Sequence, residues 1–91
     1  MPSEEIAYHF RDAVPMDDGE DSLRLAEIAV RGLHGDSRAR LEVHHLVDCE
    51  TRTCRIEAIS QVGRDLATIF TAFVTAQFGA REFTILRRSI R

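Results

Sequence analysis

Lysine, asparagine and tryptophan are missing from this chain of 91 residues, and all twelve of its basic side chains are arginine. Without lysine there is no side-chain amine for a Schiff base or for the phosphate contact of a P-loop. Without asparagine there is no N-glycosylation acceptor. Both missing residues have codons that begin AA, so their joint absence points to a GC-rich bacterial genome. There are only two cysteines, Cys49 and Cys54. They lack the companion ligands, at suitable spacing, that a zinc site needs. No apolar run approaches the ~20 residues of a membrane span. The segment Met1-Pro2-Ser3-Glu4-Glu5 has neither the basic nor the apolar part of a secretory signal. A cytoplasmic location is therefore expected, with both thiols free.

What is present is ordinary globular composition, 44% hydrophobic and 30% charged. The length suits a single domain spanning 1–91, with 1–5 and 89–91 expected to be loosely ordered. The formal net charge is −3 and its distribution is uneven. Residues 1–22 hold seven acids and one arginine; the rest hold eight acids and eleven arginines. Neither part is basic enough for a nucleic-acid footprint.

The apolar pattern divides the chain into six elements. Ile6, Tyr8 and Phe10 alternate with Ala7 and His9, as a strand requires. A helix is expected from Asp21 or Ser22, either of which can cap it, to Gly32 or Gly35. Residues 38–47 alternate again, with Ala39, Leu41, Val43, His45 and Val47 on one side. Arg38, Arg40, Glu42, His44 and Leu46 fall on the other. A strand over 54–60 follows a four-residue link, Glu50 to Thr53. Pairing Cys49 with Cys54 places both apolar rows on one face. A second helix begins after Ser60 and stops at Gly79, and a last strand covers Phe83 to Leu86.

The order β-α-β-β-α-β is the ferredoxin-like pattern. It implies an α+β, two-layer sandwich: a four-stranded antiparallel sheet in order 4-1-3-2 with two helices on one face. The better-known occupants of that fold leave signatures that are missing here. The face away from the helices carries no aromatic platform for stacking RNA bases. No Cys-x-x-Cys follows the first strand, and the loop there lacks the glycines of an acylphosphatase. Asp17-Asp18-Gly19-Glu20-Asp21 does not have the spacing of a calcium loop. Gly32-Leu33-His34-Gly35 joins a helix to a strand, unlike the GxxG loop of a KH domain, which joins two helices.

No catalytic constellation, cofactor motif or metal spacing emerges. The expected function is a non-catalytic protein-interaction or self-association module, its partner a protein or a second copy of the chain. A regulatory domain of a homodimer, binding a small molecule, is the alternative. An enzyme using His9, His44 and Glu57 as acid–base groups ranks third. The open sheet face supplies the candidate binding residues His9, Arg40, Glu42, His44, Arg55 and Glu57. The second helix has an apolar arc wider than one packed face needs. Phe70, Val74 and Phe78 are therefore the candidate interface on that helix.

Overall fold

A computed structural model describes residues 3–90. The chain is α+β, with a four-stranded antiparallel sheet and three helices. Strands β1 (Ser3–Phe10), β2 (His45–Asp48), β3 (Thr53–Glu57) and β4 (Phe83–Ile90) lie in the order β2-β3-β1-β4. This is the expected 4-1-3-2 order viewed from the opposite edge. Residues 1, 2 and 91 of the expected loose ends lie outside the described residues. Ser3 to Glu5 pair with Arg88 to Ile90 in the β1–β4 ladder.

Helix α1 spans Met16–His34, earlier than the cap at Asp21 or Ser22 implies. Pro15, with φ −66°, stands at its N-cap, and its carbonyl accepts from the Asp18 and Gly19 N–H groups. Asp17 and Asp18 thus belong to the first turn, where negative charge is favoured by the helix dipole. The acidic cluster is a helix start rather than a loop. Gly19 packs there on Phe10, an ideal Cβ at Gly19 lying 3.8 Å from the ring.

The largest departure from the expected pattern is over residues 38–47. Asp36–Glu42 form a short helix, α2, and β2 retains only His45–Asp48. Two i,i+4 ion pairs lie along these two turns: Arg40 to Asp36 at 3.0 Å and Arg38 to Glu42 at 2.5 Å. Only Ala39 of α2 is buried. Gly35 separates α1 from α2 with φ 89°, a value that favours glycine. Shortening β2 also moves the hairpin. His45 faces Ile56 and Val47 faces Cys54, two residues from the expected register, and the loop is Cys49 to Arg52. A shift of two preserves the parity, so both rows keep their faces.

The loop is fixed at both ends. The Asp48 carboxylate accepts from the Glu50 and Thr51 N–H groups at 3.0 and 3.3 Å. Those bonds, the Thr51 one above all, hold its carboxyl below the usual range. Arg52 adopts φ 56°. Its guanidinium donates to the carbonyls of Phe10 (3.4 Å), Arg11 (2.8 Å) and Val14. One side chain thereby clasps the hairpin tip to the β1–α1 loop.

Helix α3 (Gln61–Phe78) starts and stops where expected. The Ser60 hydroxyl oxygen accepts from the Gly63 N–H at 3.1 Å, and Gly79 ends the helix with φ 91°. Ile6, Tyr8 and Phe10 of β1 point to the same side as α1 and α3: the Tyr8 hydroxyl bonds the Ala67 carbonyl at 3.1 Å, and Phe10 meets Gly19. The core between these layers holds Leu23, Ala26 and Val30 of α1 with Val62, Leu66, Phe70 and Val74 of α3. Five aromatic rings, Tyr8, Phe10, Phe70, Phe78 and Phe83, fill one part of it.

Cys54 lies in this core while Cys49 is exposed, and both thiols are free. Burial pushes the Cys54 thiol up to about 12. A pKa raised on folding contributes stability below the unfolded value near 8.5 and loses it as pH rises. Stability is therefore expected to decline above about pH 9, by ~1.4 kcal/mol per pH unit from this thiol alone. Cys54→Ala should flatten that limb in urea titrations at stepped pH. A thiol reagent at pH 8 should label Cys49 at once and Cys54 only as the chain unfolds.

Candidate interaction surface

The sheet's second face carries the odd-numbered residues of β1. Hydrogen-bonded registers set three rows across it. One row is Leu46–Arg55–Ala7–Leu86, and another is Asp48–Thr53–His9–Thr84. A third runs Glu57–Glu5–Arg88, where Arg88 donates to Glu5 at 3.1 Å. His44 stands beside that row, its carbonyl accepting from the Glu57 N–H at 2.9 Å.

His9, Arg55 and Glu57 therefore lie on the open face and His44 lies at its margin. Arg40 and Glu42 do not. They belong to α2, which forms i,i+4 pairs rather than a ladder. The acid–base trio is not gathered either. His9 is four residues along β1 from Glu5, the partner of Glu57, a separation of ~13 Å. The hollow around His44, Arg55 and Glu57 has a volume of about 170 Å³, below the usual range for ligand sites.

The interface expected on α3 is also absent from the surface. Phe70 and Val74 are fully buried, and Phe78 packs against the core. The wide apolar arc is used because α3 sits centrally, touching α1, the sheet and the turn after it. Among the described residues, the exposed large apolar side chain of α3 is Phe73, 36% exposed, which lines a surface hollow with Leu25 of α1.

The remaining polar clusters join elements. His34 Nε2 lies 2.6 Å from Asp65 Oδ2, tying the end of α1 to α3. That bond, with one from Gln61, holds the Asp65 carboxyl below its ordinary value. His45 Nε2 meets a Glu27 carboxylate oxygen at the rim of the core. Among the described residues, no group of three or more His, Cys, Asp or Glu side chains converges as a metal centre requires.

The two sheet edges are unequal. β2 is four residues long, a short edge of the kind that resists pairing. β4 is eight residues long, and its Ile85 and Leu86 are 41% and 67% exposed on opposite faces. Its hydrogen-bonding phase follows from two bonds. Arg11 N–H donates to the Glu82 carbonyl, and Ala58 N–H donates to the Glu4 carbonyl. Bonded pairs recur every second residue in an antiparallel ladder. Thr84, Leu86 and Arg88 thus bond β1, while Phe83, Ile85, Arg87 and Ser89 direct N–H and C=O away from it. Sequence reasoning ended β4 at Leu86 and missed this edge. Ile85-Leu86-Arg87-Arg88 runs apolar, apolar, charged, charged, without the period-two alternation that marks a strand.

Neither the protein-family models nor the curated proteins nor the solved structures contain a match to this chain. No helix among the described residues is long and apolar enough to cross a membrane.

Proposed function

We propose that this is a ferredoxin-like self-association module of the cytoplasm, which pairs β4 with the β4 strand of a second copy. The observation that supports this reading is the long β4 edge, with its outward row of backbone donors and acceptors. Such an edge is a template for another strand, and proteins normally blunt it. The phase constrains the pairing. Outward groups lie on Phe83, Ile85, Arg87 and Ser89, so a symmetric antiparallel pair needs an even sum of residue numbers. A dyad at Arg87 would set two guanidinium groups opposite each other, which is unfavourable. A dyad at Leu86 pairs Phe83 with Ser89 and Ile85 with Arg87. It also joins two exposed leucines on the open face. The result is one continuous sheet with the helices of both copies on the same side.

The test is light scattering after size exclusion. The chain should elute at twice its 10.3 kDa mass. Ile85→Pro removes only an outward N–H, and proline is tolerated on an edge strand at such a position. It should give a folded monomer by circular dichroism. Leu86→Lys, which places like charges at the dyad, should do the same. A wild-type chain that stays monomeric, or an Ile85→Pro variant that still dimerises, would refute the proposal.

A further inference from the structure

On the helix side, β4 runs out beyond the cover of α3 and leaves a cleft of about 480 Å³ between them. The volume lies within the range of small-molecule sites. Its floor is apolar, made by Ile6, Ala67 and Ile85. Its rim is cationic. Arg64 stands on the α3 wall and Arg87 on the β4 wall, with Glu4 the one carboxylate.

Neither guanidinium is well occupied. Arg64 contacts the Ile59 carbonyl at 3.4 Å and Gln61 Oε1 at 3.3 Å, both long for a charged donor. Arg87 approaches Glu4 only at 3.9 Å, and its side chain is 71% exposed. The hydroxyls of the wall are already committed. Thr71 donates to the Ala67 carbonyl at 2.7 Å and pairs with the Tyr8 hydroxyl at 2.8 Å. Thr68 donates to the Arg64 carbonyl at 3.0 Å. The donors left to a ligand are therefore those of the two arginines, and one positive charge is in excess.

We propose that this cleft binds a small monocarboxylate with an apolar body. The carboxylate sits between Arg64 and Arg87, and the body lies on Ile6, Ala67 and Ile85. The planar fork of arginine matches a carboxylate bidentately. All of the lining comes from one chain, and Arg64, away from the β4 edge, tests the cleft separately from the pairing of β4, which would add the second copy's Arg87 opposite Ile85.

The experiment is a titration of the 91-residue chain with benzoate and octanoate, followed by backbone amide NMR shifts. Benzamide and octanol serve as neutral analogues. Saturable shifts at Thr68, Thr71 and Ile85 are expected with the carboxylates, with Kd at or below about 1 mM. Arg64→Gln should weaken binding about tenfold, as loss of a charged hydrogen-bond donor does. Arg87→Gln should do likewise, while Arg24→Gln on α1 leaves Kd unchanged. Arg64 stands off the β4 edge, so its variant reports on the cleft without altering strand pairing. Equal binding of the neutral analogues, an Arg64→Gln variant within twofold of wild type, or no saturation by about 10 mM would overturn the assignment.

Discussion

Gly63→Ala is expected to destabilise the domain by about 2–4 kcal/mol, against the direction that helix propensity implies. Alanine exceeds glycine by ~1 kcal/mol inside a helix, so propensity alone favours the change. Sterics reverse the sign. A Cβ at Gly63 would run into the carbonyl oxygen of Glu57 and lie 3.4 Å from the Ala58 Cα. Both obstacles are backbone, at the end of β3, and neither has a rotamer to yield. Helix α3 would have to lift, opening the contacts of Val62, Leu66 and Ala67, all buried. A domain of this size has a total stability of roughly 5–14 kcal/mol, so the loss is a large share of it. Gly32 supplies the control. It is helical, nothing lies within 4 Å of its ideal Cβ, and its φ is not positive. Gly32→Ala should therefore stabilise, by up to ~1 kcal/mol. Urea midpoints of the two variants should move in opposite directions. A Gly63→Ala midpoint equal to wild type would mean that α3 does not approach β3 this closely.

The second large effect separates two phenylalanines three positions apart on α3. Phe70→Ala should cost about 3–5 kcal/mol and Phe73→Ala less than about 1. Phe70 is fully buried, with its ring edge-on to Tyr8 at 4.8 Å between centroids and edge-on to Phe10 at 6.4 Å. Truncation leaves a void bounded by rigid rings and β-branched side chains, which relax little. Phe73 faces solvent on one side and can lose its ring into water. Thermal or urea unfolding of both variants checks the ratio. Equal costs would place α3 at a different rotation about its axis.

Those two residues also show where sequence reading fails. Periodicity correctly set α3 between Ser60 and Gly79, because cap chemistry is local. It could not say which part of the wide apolar arc meets protein, since that depends on α1 lying alongside. Strand order and sheet face were legible for a similar reason: Ile6, Tyr8 and Phe10 alternate with a period that only a strand uses. Residues 36–42 misled because Arg38-Ala39-Arg40-Leu41-Glu42 alternates by coincidence. The i,i+4 pairs Asp36–Arg40 and Arg38–Glu42 carried the competing signal, and a glycine just before them marked a restart. With α2 misread, Arg40 and Glu42 were assigned to a face they do not share. The β4 edge and the arginine-rimmed cleft were out of reach, since each depends on residues brought together from opposite ends of the chain.

The β1–β4 ladder runs from Phe10 opposite Phe83 to Ser3 opposite Ile90. It closes the polypeptide into a near ring, with a central strand supplied by one end and an edge strand by the other. A short peptide bridge between the two ends would cost little entropy. New ends could then be cut at Gly35, between two helices on the surface. In such a rearranged chain the longest ladder of the sheet becomes a local hairpin, and contacts that now wait for the whole chain would form early in folding.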